Sequence, residues 1–443
     1  MGFFSISPIT HLKGKITLPG DKSIAHRCVI VSALSLGKTT IENFPSNKDS
    51  FYTLEAFKKL GIKIIRHSSS RITIYGKGLY GLTKPVNPIF VGDSGTTLRL
   101  LLGVLAGQNF KVKLIAAKSL SNRPMLRVTS PLRMMGAQIS AKINNKQDSK
   151  SEEYPPITIK GGRINPIVYK MPVASAQVKS AILLAGLFSK GKTIIFEPIA
   201  TRDHTERMLK LFKADLKVKA NQILIEGNRD LVSPGRIYIP GDISSASFFI
   251  VLAGILPRSE ILIRKVSLNP SRAGIIKILK RMGADIRLSK NSSYLSEFEP
   301  LGDVTVRSST LKGTTVQKKE IPSLIDELPI LMVAASLAKG KTVFKGIGEL
   351  RVKETDRIKS MSLNLRKMGV PVKIIQNIDS EDVVIQGVAE LKGAKVKSFG
   401  DHRTAMSMVV AGLRAREKIS IDNIDCIDKS FPEFLSVLKS LIK

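Results

Sequence analysis

One pattern, written six times with variations, limits what this chain can fold into. It consists of a small polar or charged cluster, an apolar helical stretch, a turn at Gly or Lys-Gly, and a β-branched strand. The first three copies are GDKSIAHRCVIVSALSLGKTTI (20–41), GDSGTTLRLLLGVLAGQNFKVKLI (92–115) and ASAQVKSAILLAGLFSKGKTIIF (174–196). The next three are GDISSASFFIVLAGILPRSEILI (241–263), SLIDELPILMVAASLAKGKTVF (323–344) and GDHRTAMSMVVAGLRAREKISI (400–421). With starts at 20, 92, 174, 241, 323 and 400, successive copies lie 67 to 82 residues apart. The helical stretches are apolar nearly all round, AILLAGLF being typical, so each is expected inside the fold. Between them come amphipathic stretches ending in Gly, such as LEAFKKLG (54–61), IIKILKRMG (275–283) and LNLRKMG (363–369). Short strands such as ITIYG (72–76), ITIKG (157–161), ILIEG (223–227) and VVIQG (383–387) follow several of these.

Each unit therefore predicts strands plus two helices, one buried and one exposed. The period is longer than that of common solenoids. Six units in 443 residues then suggest two α/β domains of three units each, although length alone suggests about three domains. The expected division falls near Pro240-Gly241: residues 20–240 form one domain, and 1–19 plus 241–443 the other. The N-terminal strand before Pro19-Gly20 has no unit of its own and is expected to join the C-terminal half.

The chain carries 70 Lys+Arg against 36 Asp+Glu, a net charge of +34, which calls for an anionic partner: nucleic acid, a membrane surface or phosphorylated small molecules. No run of five like charges forms a basic arm, and aromatics are 5% with no Trp, poor material for stacking bases. Apolar runs such as Phe248–Leu256 are far shorter than the roughly 20 residues of a membrane span. The N-terminus lacks signal-peptide character, and Ile6 stands where myristoylation after Met1-Gly2 needs Ser or Thr. Cys28 and Cys426 make neither a disulfide framework nor a thiolate metal site. His11, His26, His67, His204 and His402 form no HExxH pair. The expectation is a cytoplasmic protein without metal.

Function is expected where the repeat turns polar, because helix N-termini present free N–H groups and a partial positive charge to anions. Capping alone accounts for Asp242, Ser244 and Ser245. It does not account for Lys22, Gln177 or Arg403, which are not favoured caps. Lys22, Arg27, Arg123, Arg202, Lys353, Arg357 and Lys429 stand beside the same helix starts or in nearby short loops. A solvated surface charge is the bland explanation for any one of them. Two carboxylates lie amid this positive charge. Asp326 precedes an apolar helix, and Glu354 is spaced for a helix face with Arg357. A cap and a helix salt bridge are the structural explanations; proton transfer is the chemical one. GDSGTT (92–97) fits close backbone approach to an anion, and no Walker loop, dinucleotide fingerprint or nucleophile elbow occurs.

Taken in order, LPGDKSIAHR (18–27), GDSGTTLR (92–99), NRPM (122–125), SAQVKSAILLA (175–185), IDELPIL (325–331), RVKETDR (351–357), GDHRTAM (400–406) and KSFPEF (429–434) resemble the 5-enolpyruvylshikimate-3-phosphate synthase family. The resemblance implies two inside-out α/β domains, each of three βαβαββ repeats, with a cleft between them. It implies transfer of the enolpyruvyl group of phosphoenolpyruvate to the 5-hydroxyl of shikimate 3-phosphate, with phosphate released through a tetrahedral intermediate. No cofactor or metal is implied, and a monomer binding neither nucleic acid nor membrane is expected. Lys22, Ser23, Arg27, Ser175, Gln177, Arg202, Asp326 and Lys353 match shikimate-3-phosphate positions. Lys22, Gly95, Arg123, Gln177, Arg357, Arg403 and Lys429 match phosphoenolpyruvate positions. Asp326 matches the residue that holds or deprotonates the attacking hydroxyl, Glu354 the acid that protonates the methylene carbon, and Lys22 also counts as catalytic.

The chain departs from many members at Ala176, where a second serine is common, and at Asp93 and Ser94, where Asn and Ala are common. Gly95 is retained where some herbicide-tolerant relatives carry Ala, so glyphosate sensitivity is expected. The alternatives are enolpyruvyl transfer to UDP-N-acetylglucosamine and a basic nucleic-acid-binding repeat protein. The first is disfavoured by Lys118, which stands where that enzyme usually has Cys or Asp.

Overall fold

The buried helices follow directly from their composition. In the computed structural model, which describes residues 3–144, 151–289, 298–378 and 380–442, every residue of the helices Leu328–Ser336 and His402–Leu413 is buried. The helix Lys22–Leu34 is buried from Ile24 onward, and Gly95–Ala106, Ala176–Gly186 and Ile243–Ile255 are buried over most of their length. Met1 and Gly2, on which the lipid-site argument turns, lie outside the described residues.

The chain divides into two compact units. One comprises Gly20–Ile239 with Glu297–Glu299, the other Met1–Pro19, Pro240–Ser296 and Pro300–Lys443. In the first, the Gly95 helix packs against both the Lys22 and Ala176 helices. Gly103 permits the closest approach, since a Cβ there would meet the Ala181 carbonyl oxygen at 2.3 Å. In the second, the Ile243, Leu328 and His402 helices pack pairwise, and Phe248, Phe249, Phe431 and Phe434 add an edge-on aromatic cluster.

Sheets surround the helices, and their pairing repeats more faithfully than their sequences. In the Gly20–Ile239 unit, Ile89–Phe90 runs parallel to Lys111–Ile115, which pairs antiparallel with Glu152–Lys160, which pairs antiparallel with Gln138–Asn144. Val168–Lys170, Lys192–Phe196, Gln222–Glu226 and Asp215–Lys219 repeat that order, as do Thr315–Val316, Lys341–Phe344, Glu381–Gln386 and Val372–Gln376. Two sheets take their parallel strand from far along the chain. Leu231–Val232 and then Arg236–Tyr238 run parallel along one edge of Ser35–Glu42, and Lys13–Thr17 lies parallel to Glu260–Arg264. The sixth sheet is smaller: Ile419–Ile421 sits between Phe4–Ile6 and Lys395–Val396. The strands alternate buried and exposed residues, so one sheet face covers the helices and the other carries lysines such as Lys111 and Lys113.

The outer helices end as their glycines indicate. Gly61 (φ +85°) and Gly283 (φ +95°) adopt the left-handed conformation that closes a helix C-terminus, and this turns the chain into the next strand.

Candidate active site

Charge inside an apolar helix needs a partner, and this rule finds much of the site. Among the described residues, six cationic side chains are buried: Arg27, Arg99, Lys179, Arg272, Arg357 and Arg403. All ten charged site candidates are buried or half-buried, so none is a fully solvated surface charge.

In the Gly20–Ile239 unit, Asp21 caps the Lys22 helix by accepting from Ile24 N at 2.9 Å. One turn in, Arg27 donates to Thr205 Oγ1 (2.6 Å), Ser180 Oγ (2.8 Å) and the Ser23 carbonyl (2.9 Å). Burial lowers its pKa to about 10; Glu206 opposes that shift and Arg202 adds to it, which places Arg202 in the same electrostatic neighbourhood. Lys22 pairs with Asp49 at 2.8 Å. Ser94 caps the Gly95 helix, while Asp93 Oδ1 accepts from Leu120 N at 3.3 Å, so the cap at this site is the serine. Gln177 donates to Thr96 Oγ1 at 2.9 Å, and its carbonyl oxygen accepts from Arg99. Arg123 lies directly over Gly95, where an added Cβ would be 2.9 Å from its NH1. Ser175 caps the Ala176 helix through Val178 N. The unit thus groups Ser23, Arg27, Arg202, Ser180 and Thr205 in one set. A second set holds Gly95, Thr96, Arg99, Arg123 and Gln177.

In the other unit the carboxylates are the centre. Asp326 is not a cap: it lies in the turn before Leu328, with its Oδ1 3.5 Å from Arg357 NH1 and its Oδ2 3.8 Å from Arg403 NH2. Its carbonyl accepts from Arg403 NH1 at 2.9 Å. Arg357 also donates to Asp401 Oδ2 at 2.9 Å, and Asp401 caps the His402 helix through Arg403 N and Thr404 N. Burial alone would lower the Arg357 pKa, but Asp401, Glu354 and Asp326 reverse this and raise it.

The helix-face expectation for Glu354 is corrected. The helix begins only at Arg357, with Asp356 as its cap, and Glu354 precedes it in an irregular turn after the 3₁₀ segment Gly348–Val352. Glu354 Oε2 instead lies 2.8 Å from His402 Nδ1. Arg351 serves this turn from outside, bonded to Asp356 and to Glu381 (Nε to Oε2, 2.8 Å). Lys353 is half-buried immediately before Glu354. Lys429 ends a 3₁₀ turn whose Cys426 thiol is pushed up to about 12, by burial first and by Asp401 next, with Lys429 opposing. Among the described residues, no group of three or more His, Cys, Asp or Glu is arranged to hold a metal ion.

Arg99, Lys179, Arg272 and His402 were not singled out from the sequence. A usable signal existed for Arg99 and Lys179, which interrupt otherwise apolar helices as Arg27 does.

The fold, two α/β units of three repeats around buried helices, is shared with solved proteins of the enolpyruvyl-transferase class. The solved enolpyruvyl transferase NikO of Streptomyces tendae has this fold, at TM-score 0.76 and 16% identity over 99% of this chain and 97% of that one. EPSP synthase from Acinetobacter baumannii is nearer: TM-score 0.86 and 40% identity, covering 100% of this chain and 98% of that one. The 3-phosphoshikimate 1-carboxyvinyltransferases of Desulforamulus reducens and Thermodesulfovibrio yellowstonii are 45% and 46% identical, covering 99% and 98% of each chain respectively. The model of the EPSP synthase (3-phosphoshikimate 1-carboxyvinyltransferase) family matches residues 6–438, and the chain belongs to that family.

Proposed function

We propose that this chain transfers the enolpyruvyl (carboxyvinyl) group of phosphoenolpyruvate to the 5-hydroxyl of shikimate 3-phosphate, releasing phosphate. It is a transferase of the shikimate pathway, and its product serves chorismate and aromatic amino acid biosynthesis. The observation that carries this is full-length identity of 45% to a 3-phosphoshikimate 1-carboxyvinyltransferase.

The residues supply what the reaction needs. The substrates bring two phosphates and two carboxylates, and buried guanidiniums grip such groups at two points, whereas Lys22 acts as a mobile point charge. In this proposal Lys22, Ser23, Arg27, Ser175, Gln177, Arg202 and Lys353 hold shikimate 3-phosphate. Lys22, Gly95, Arg123, Gln177, Arg357, Arg403 and Lys429 hold phosphoenolpyruvate. Asp326 orients the 5-hydroxyl and takes its proton as the oxygen bonds to C2 of phosphoenolpyruvate, while Glu354 delivers a proton to C3. The resulting tetrahedral adduct loses a C3 proton and its C2–O–phosphate bond, which restores the vinyl group and frees phosphate. Cations already in place stabilise the charge that develops.

The proposal needs no metal or organic cofactor, and it describes a cytoplasmic monomer that binds neither nucleic acid nor membrane. No described helix is long and apolar enough to cross a bilayer. It also makes the chain a glyphosate target through Gly95, tested by competition with phosphoenolpyruvate. The decisive experiment is phosphate release from phosphoenolpyruvate with shikimate 3-phosphate, run beside UDP-N-acetylglucosamine. Release with shikimate 3-phosphate alone is expected; release only with the sugar nucleotide overturns the proposal.

A further inference from the structure

Arg272 has no part in the roles above, yet it is among the most deeply placed charges of its unit, 2% exposed. It leaves a locked turn. The Asn269 carbonyl accepts from the N–H groups of Arg272 and Ala273, both at 2.8 Å. Asn269 Oδ1 accepts from Ser271 N at 2.9 Å and from Ser271 Oγ at 2.8 Å. From there Arg272 NH2 donates to Ser244 Oγ at 2.6 Å, and Ser244 Oγ donates in turn to Glu327 Oε1. Arg272 NH1 lies 3.6 Å from Glu327 Oε1 and 3.9 Å from Asp326 Oδ2, while NH2 lies 3.8 Å from Asp242 Oδ1. Glu327 is fully buried, and its Oε2 has no hydrogen-bond partner.

Three guanidiniums therefore face Asp326: Arg357, Arg403 and Arg272. The transferase proposal assigns the first two to phosphoenolpyruvate, so substrate shares their charge. Arg272 is committed to protein groups. Resting on that proposal, we infer that Arg272 is a positioning residue of the reaction, holding the Asp326 carboxylate in place through its own charge and the Ser244–Glu327 bridge. A fixed cation at this distance favours the carboxylate over the acid, and the carboxylate is the form that accepts the hydroxyl proton. The other charged groups around Asp326 are Glu327 beside it, with Arg403 NH1 at 3.7 Å, and Asp401 and Glu354 behind Arg357.

The test is the pH profile of phosphate release, from about pH 4.5 to about 8.5, for the wild type, Arg272→Gln, Arg272→Lys and Ser244→Ala. Removing the cation raises the proton affinity of Asp326. The acid limb of kcat in Arg272→Gln is then expected to move up by about one pH unit, with the KM for phosphoenolpyruvate within about twofold. Arg272→Lys, which keeps the charge, returns the limb toward its wild-type position. A merely structural role would give the same fractional loss at every pH, and that result overturns the inference, as does an unmoved limb. If Arg272→Gln fails to fold, Ser244→Ala decides. It leaves the cation but unfastens it, and an upward shift of roughly half a unit is expected; an unmoved limb again overturns the inference. A wild-type chain that releases no phosphate overturns the transferase proposal itself, and this inference with it.

Discussion

Replacing Gly95 by alanine should improve stability and impair function, and the two effects are measurable separately. Gly95 is the first residue of its helix, follows the Ser94 cap, and has no left-handed backbone to preserve. Alanine there restricts the unfolded chain and suits the helix, a gain of about 0.4–1 kcal/mol. The new Cβ would lie 2.9 Å from Arg123 NH1, 3.3 Å from Arg123 Cζ and 3.4 Å from Arg99 NH1. Ordinary contact begins near 3.4 Å, so the Arg123 guanidinium must retreat by about half an ångström. It is the far end of a flexible side chain and moves at little cost to the fold. It does not move freely with respect to a substrate oxygen. A charge-assisted hydrogen bond contributes about 1.5–3 kcal/mol, and losing roughly half of that raises the KM for phosphoenolpyruvate about 4- to 13-fold. The assay pairs steady-state kinetics, varying each substrate in turn, with urea unfolding. Expected are a raised KM for phosphoenolpyruvate, a KM for shikimate 3-phosphate within about twofold, and an equal or higher unfolding midpoint. A clear loss of stability, or an unchanged KM for phosphoenolpyruvate, would refute the placement of Arg123 over the anion.

Asp326→Ala and Glu354→Gln should each leave cooperative unfolding intact while lowering turnover by ~10²-fold or more; near-wild-type turnover in both rejects their roles. Lys179→Met strands Glu197 and Glu206, which now lie 3.0 and 2.6 Å from the buried Lys179 ammonium, and should cost about 3–5 kcal/mol in urea unfolding. A loss below about 1 kcal/mol would mean those carboxylates find other partners. Burial first, and then Lys22 and Arg27, push the His26 pKa well below its ordinary 6.5. Its stabilising contribution is therefore complete above 6.5 and is lost as pH falls through the acid range below it. Between about pH 7.5 and 5.5 the wild type should lose about 1 kcal/mol more than His26→Gln in urea unfolding, and equal losses would count against a neutral buried His26.

Local pattern carried a good part of the architecture. Helices such as Ile243–Ile255 were legible because an all-apolar stretch has nowhere to go but inside, and Gly283 marked a helix end because that position requires positive φ. Lys22 and Arg403 were legible as charges that capping does not explain. Glu354 was misplaced on a helix because spacing alone cannot show that the helix waits for the Asp356 cap. Arg272 left no signal, since its neighbours Ser244 and Glu327 are distant in sequence and meaningful only once the turn at Asn269 has brought them together.

The sequence by itself determined the repeat, the buried helices and the family, because periodicity and ordered motifs are properties of short stretches; of the expected caps Asp242 holds, while Ser244 and Ser245 lie inside the helix Ile243–Ile255 and Asp326 lies in the turn before Leu328. Tertiary structure decided which of the 70 basic residues are interior and what each one faces. Arg357 meets Asp401 across 44 residues and His402 meets Glu354 across 48. Such pairings depend on how helices from different repeats pack, and a charge removed from water is stable only where that packing supplies its counter-charge.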